Sequence, residues 1–237
     1  MSVFAIIPAA GVGKRFGTKV PKQYLPLQGK TILECSLLKI SACKAVEKIV
    51  LAIDYNDDHW CSVEQQLDET LRNRIVLVEG GPERADTVLN ALRAISNPNP
   101  DDWVVVHDAV RPLVQAKQID EMLHALQQAD DSMPGGLMAL PISDTVKQTT
   151  RETANIVSAT LDRNRLWAAQ TPQVFRYGLL RDALESTSGD PRITDESSAM
   201  EACGHSVKLF EGHVYNIKIT TPNDLAMAEL LVSASDD

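Results

Sequence analysis

The residues best suited to chemistry lie together between Pro8 and Gln23, in the run PAAGVGKRFGTKVPKQ. They follow a short, continuous apolar stretch, Val3 to Ile7, of the kind that forms a strand buried on both faces. Gly11, Gly13 and Gly17 then make a turn whose backbone N–H groups are little obstructed, and such a concavity binds phosphate. Lys14, Arg15, Lys19 and Lys22 add full positive charges around it, an arrangement suited to a nucleoside triphosphate. Two common phosphate loops are excluded by spacing. In a P-loop the Gly-Lys pair is followed by a hydroxyl residue that holds magnesium, whereas Lys14 is followed by Arg15. In a dinucleotide fingerprint the third glycine would fall at 16, whereas it stands at 17, and Glu34 sits in a helical pattern rather than where a ribose would be held. A glycine turn that merely connects two elements is the plain alternative, and the attached cations argue against it.

Four further clusters share this chemistry. GGPERADTV, from Gly80 to Val88, is a second glycine turn entering a helix, where backbone N–H groups and Thr87 face either a base or ribose or only the next element. HDAVRP, from His107 to Pro112, sets Asp108 and Arg111 just past a buried strand. An acid there suits sugar hydroxyls or a metal, and an internal ion pair between the two is the structural alternative. ITDESSA, from Ile193 to Ala199, reads as a helix start with Thr194 as its cap or as a ligand contact. NIKITTP, from Asn216 to Pro222, places Lys218 in a strand-like run, where an inward lysine needs an anion. His107, His124, His205 and His213 have no paired nucleophile or ligand spacing, and no G-x-S-x-G elbow occurs, so hydrolase chemistry is not supported.

These clusters need a frame. Leu33, Leu37 and Ile40 mark a helix face, Val46 to Ile53 and Arg74 to Val78 read as strands, and Ala85 to Ile95 as a helix. Trp103 to His107 is a strand, Ile119 to Leu126 a helix and Leu137 to Pro141 a strand, and a last helix starts at Pro222, a well-placed first-turn proline. This alternation predicts a doubly wound α/β domain over 1–237, a mostly parallel twisted sheet with helices on both faces. Ligands in such sheets sit beyond the carboxyl ends of the strands, where the glycine turn and Asp108 both fall.

A chain of 237 residues can bury a substantial core, and its net charge of −9 argues against nucleic-acid or membrane-surface binding. Cys35, Cys43, Cys61 and Cys203 lack metal or disulfide spacing. No export leader or long apolar run is evident, so a cytoplasmic location is expected. One segment breaks the rhythm. Ser143 to Leu161 is polar and threonine-rich, with a turn near 151–155, and reads as a β-hairpin. Such a hairpin is marginal alone, so it is expected to dock, preferably on a second subunit.

Taken in order, PAAGxGxR, PKQY, GG-P-ERADTV, HDAVRP, TLDRNRLWAAQTPQ, TDE and NIKIT resemble the 2-C-methyl-D-erythritol 4-phosphate cytidylyltransferase family along essentially the whole chain. The related ribitol-5-phosphate cytidylyltransferases share part of this set but usually carry a leucine–alanine–glycine–glycine turn in place of Pro8-Ala9-Ala10-Gly11. A catalytically silent nucleotide-binding protein is the reading from a different class, against which the presence of Arg15, Lys22, Arg163 and Lys218, the cations that the resemblance assigns to the transition state, counts.

The resemblance implies a Rossmann-like nucleotidyltransferase fold with a protruding β-hairpin arm, about 142–164, that makes a homodimer by exchange across the interface. It implies transfer of a cytidylyl group from CTP to methylerythritol phosphate with Mg²⁺, or another divalent cation, on the triphosphate. Arg15, Lys22, Arg163 and Lys218 become the catalytic cations. Pro8, Ala9, Ala10, Gly11, Gly81, Pro82 and Thr87 become nucleotide contacts, with Pro82 where the family usually has an acid. Asp108, Ala109, Arg111, Thr145, Thr171 and Thr194 become contacts to the second substrate, Thr145 and Arg163 reaching over from the partner's arm.

Overall fold

The computed structural model describes residues 1–11, 20–130, 133–150 and 155–234. In chain order its elements are β1 (Val3–Pro8), β2 (Pro26–Leu27), β3 (Lys30–Thr31), α1 (Ile32–Ser41), β4 (Lys48–Ile53), α2 (Trp60–Gln66) and α3 (Glu69–Arg72). There follow β5 (Ile75–Glu79), α4 (Arg84–Arg93), β6 (Trp103–Val106), α5 (Ala116–Gln127), β7 (Gly135–Pro141), β8 (Val146–Thr149) and β9 (Val157–Leu161). The chain closes with β10 (Trp167–Arg176), α6 (Tyr177–Ser186), α7 (Glu196–Ala202), β11 (Lys208–Glu211) and α8 (Pro222–Ser233).

Seven strands form one sheet in the order β11-β7-β10-β6-β1-β4-β5. Pairings β1–β4, β1–β6, β4–β5 and β11–β7 are parallel, whereas β10 runs antiparallel to both neighbours. Alternate side chains of one strand enter different layers because the strand period is two. Ala5 and Ile7 of β1 pack with Leu33, Leu37, Ile119 and Met122 from α1 and α5, while Ile6 packs with Val88, Leu92 and Leu180 from α4 and α6. That two-sided burial is why the central strands read as unbroken apolar runs. The helices carry their own start signals. Thr31 and Glu34 form a capping box at α1, as do Thr221 and Asp224 at α8, with Pro222 in its first turn.

The strands and helices expected through Pro141 and from Pro222 are all present. The elements β2, β3, α2, α3, α6 and β11 lie outside the sequence reading, and three further differences bear on the site. Strand β10 was not anticipated, although it occupies the middle of the sheet. Its buried Gln170, Thr171 and Gln173 break the apolar pattern that marks a central strand. Asn216 to Thr220, expected to be strand-like, is assigned to no strand, and the cap of α7 is Asp195 rather than Thr194. The hairpin exists, β8 pairing antiparallel with β9 as a separate two-stranded sheet, and Ile156 and Val157 stand more than half exposed on it.

Candidate active site

Three turns meet where β1, β5 and β6 end. Each prolongs the parallel ladder by one bond: Ala9 N–H donates to the Ala52 carbonyl (2.7 Å), Gly80 N–H to that of Ile53 (2.8 Å) and His107 N–H to that of Ile6 (2.9 Å). The first two turns touch so closely that a Cβ at Gly80 would run into the Cβ of Ala10, so only glycine fits there. The Thr87 hydroxyl accepts from Gly81 N–H and donates to the Glu83 carbonyl, both at 3.0 Å, folding the second turn against the start of α4. The PKQ segment is tied on by its ends. Gln23 donates to the Ala9 carbonyl (2.7 Å), and Lys22 Nζ to the Ile219 carbonyl (3.3 Å).

Together these segments wall a cleft of about 400 Å³. Pro8, Ala9, Ala10, Gly11, Lys22, Gly81, Pro82, Thr87, Asp108, Ala109 and Lys218 all line it, with Gln23, Glu83, Arg84 and Val110. Its dimensions fall within the range of small-ligand sites. A neighbouring cleft shares Glu83 and Arg84 and is lined by Thr194.

Asp108 is the electrostatic centre. Its Oδ1 accepts from Arg84 at 3.2 Å, and its Oδ2 from Lys218 at 2.9 Å and Arg111 at 3.4 Å. Burial alone would raise this carboxyl, but the three cations outweigh it and hold it well below the usual carboxylate range. The anion that Lys218 was expected to need is therefore this carboxylate, and the ion pair with Arg111 is also present. A carboxylate so surrounded is a poor metal ligand, because another cation would be repelled.

The loop carrying Asp108 is braced from behind. His107 is fully buried and its pKa is lowered to about 4 by desolvation, so it is neutral near pH 7. Its Nε2 lies 3.0 Å from the Arg111 carbonyl, which can only accept, so Nε2 carries the proton. Nδ1 then accepts from the Thr171 hydroxyl (3.1 Å), which in turn accepts from Asp108 N–H (3.0 Å). Arg111 donates to the Asn216 carbonyl (2.7 Å), and Asn216 to that of Thr171 (2.8 Å). Loop 107–111, strand β10 and segment 216–218 are thus laced into one unit.

The expected site residues divide accordingly. Eleven of them surround the cleft itself. Arg111 and Thr171 are buried beside it, the Thr171 hydroxyl being engaged by His107 and Asp108, and Thr194 opens on the adjoining cleft. Thr145 and Arg163 are exposed on the hairpin segment, where Arg163 donates to the Ser143 carbonyl, and they do not line the cleft of their own chain. Arg15 lies outside the described residues. The sequence reading missed Arg84 and its bidentate partner Glu196 (2.6 and 3.0 Å), which are 112 positions apart. Nothing in either local pattern signals that two helix starts face one another.

The chain matches the family model for 2-C-methyl-D-erythritol 4-phosphate cytidylyltransferase over residues 3–234. It is 42% identical over 230 residues to a protein of that name from Aliivibrio fischeri (strain MJ11), covering 97% of this chain and 93% of that one. A namesake from Pseudomonas entomophila (strain L48) is 45% identical over 225 residues, covering 94% and 92%. Among solved structures, the 2-C-methyl-D-erythritol 4-phosphate cytidylyltransferase of Francisella tularensis superposes with a TM-score of 0.78 at 37% identity, covering 97% and 99% of the two chains. With its sheet, its cleft and nearly every residue aligned, the chain belongs to the 2-C-methyl-D-erythritol 4-phosphate cytidylyltransferase family.

Proposed function

We propose that this chain transfers the cytidylyl group of CTP to 2-C-methyl-D-erythritol 4-phosphate, releasing pyrophosphate, in the methylerythritol phosphate route to isoprenoid precursors. The observation that carries the reading is the cleft where residues 8–11 and 81–82 meet Lys22, Asp108 and Lys218, in a chain aligned with this family from residue 3 to 234. An oxygen of the acceptor phosphate forms a bond to the α-phosphorus as the bond to the bridging α–β oxygen breaks, and the electron pair leaves on pyrophosphate. A phosphate that is already anionic needs no general base, so the protein supplies position and fixed positive charge. Lys22, with Arg15, stabilises charge on the α-phosphate and departing pyrophosphate, while the backbone of 8–11 and 81–82 cradles the nucleotide. Asp108, Arg111 and Thr194 hold the polyol, and Lys218 grips its phosphate together with Arg163 and Thr145 from a second subunit.

Magnesium fits here as a substrate-borne ion. Mg²⁺ commonly binds through substrate phosphates and water, with one or two carboxylates at most. It would neutralise charge on the triphosphate. The dimer reading is supported by the hairpin, whose Ile156, Val157 and Leu161 are exposed on one chain. Four free thiols fit a reducing, cytoplasmic compartment, and among the described residues no helix is long and apolar enough to cross a membrane.

Pyrophosphate release from CTP and Mg²⁺ tests the reading, with methylerythritol phosphate and ribitol 5-phosphate run in parallel. Turnover with the first acceptor is expected. Turnover with ribitol 5-phosphate alone would reassign the acceptor, and silence with both from a folded, CTP-binding protein would remove the catalytic reading.

A further inference from the structure

Arg84 stands at the first turn of α4, between the two clefts, and its guanidinium is occupied on both edges. Nη1 and Nη2 make a fork to Glu196, a residue with no solvent exposure, at 2.6 and 3.0 Å. Nε donates to Asp108 Oδ1 at 3.2 Å, and Nη2 lies at the same distance from that oxygen. The arginine is thereby committed to two carboxylates, which is a geometry for orienting them rather than for seizing phosphate. Glu196 is buried at the start of α7, whose cap Asp195 accepts from Gln173 of β10 (2.8 Å) and from Ser198 N–H (3.0 Å). On its other oxygen, Asp108 holds Lys218 at 2.9 Å.

From this chain of contacts we infer that Arg84, locked by Glu196, is a positioning residue that turns Asp108 so that Lys218 is aimed at the acceptor phosphate. The inference rests on the acceptor role proposed above for Lys218 and Asp108. The same contacts link the nucleotide turn at 80–87 to the start of α7 beside Thr194. Misaiming a reacting group by about an ångström can cost on the order of 10²-fold in rate, so the expected effect is kinetic.

The test is a double-mutant cycle on steady-state kinetics, with CTP and methylerythritol phosphate varied separately. Arg84→Met alone would strand Glu196 as a buried charge, so it is made together with Glu196→Gln, and Arg84→Lys serves as a second, charge-keeping variant. The paired change should lower kcat/KM for the acceptor by roughly 10- to 100-fold while KM for CTP moves less than about threefold. Arg84→Lys should recover only part, since an ammonium cannot fork between two carboxylates. Asp108→Asn should cost less in the background of the pair than it does alone, because the pair has already removed its aim while its contact with the polyol remains to be lost. Fully additive losses, or a loss confined to CTP, would overturn the inference, as would unchanged kinetics in a variant destabilised only towards urea. Wild-type turnover in the same assay decides the acceptor reading separately, so failure of that reading is not confused with failure of the role assigned to Arg84.

Discussion

Asp108 and His107 are adjacent and both buried, yet their surroundings drive them to opposite states. Asp108 meets three cations and stays charged, whereas His107 meets a carbonyl and a hydroxyl and stays neutral. Lowering the folded-state pKa of His107 from 6.5 to about 4 means that the unfolded chain binds the proton more readily. Its contribution is therefore complete above pH 6.5, is lost as pH falls from there towards 4, and is constant below. Between pH 7 and 5 the loss from this one group is about 2 kcal/mol. Urea unfolding at the two pH values, in wild type and His107→Asn, measures it. The variant should be weaker at pH 7 but lose about 2 kcal/mol less on acidification, and equal losses would refute the neutral brace.

At the scale of elements, α7 matters most to the site because its first residue, Glu196, holds Arg84. In ITDESS the sequence reading took Thr194 as the cap, whereas the structure caps α7 with Asp195. Tertiary packing makes the choice. Asp195 accepts from Ser198 N–H within the helix and also from Gln173 and Ser197, whereas the backbone N–H of Thr194 donates to the Ser198 hydroxyl. Asp195→Ala removes the cap and leaves Gln173 short of a partner, so it should cost about 1–2 kcal/mol in chemical denaturation. Asp195→Asn keeps an acceptor and should cost less. Equal destabilisation by both would show that charge, not capping geometry, is what α7 requires.

For the whole molecule, the hairpin is the part the single chain leaves unexplained. It forms its own two-stranded sheet, β9 is exposed along its length, and Arg163 and Thr145 stand away from their own cleft. If each site joins one body to its partner's arm, Lys22→Ala and Arg163→Ala subunits are each nearly inactive but complementary. Statistical mixing makes half the dimers hybrid, each with one intact site of two, so activity should return to about a quarter of wild type. The measurement is pyrophosphate release after mixing, with subunit exchange verified by mass or by differential tagging. Exchange without recovery would place both residues on one chain's chemistry or remove them from it.

Much of this protein is written locally. Val3 to Ile7, Trp103 to Val106 and the capping signals at Thr31 and Thr221 specify strands and helices through side-chain burial and hydrogen bonds within a few residues. Gly11 and Lys22, picked out by the glycine and cation cluster after β1, line the cleft for the same reason, since backbone exposure and charge density are properties of a short segment, while Gly13, Lys14, Arg15, Gly17 and Lys19 lie outside the described residues. What only the tertiary structure decided involves partners far apart in the chain. Strand β10 is central because Gln170, Thr171 and Gln173 donate to His213, His107 and Asp195, while Thr171 and Gln173 accept from the N–H groups of Asp108 and Ser197, which turns a polar run into a buried one. Arg84 meets Glu196 because α4 and α7 start on the same side of the sheet. Buried polar groups must be paired, and their partners are set by three-dimensional proximity, which no local pattern of residues encodes.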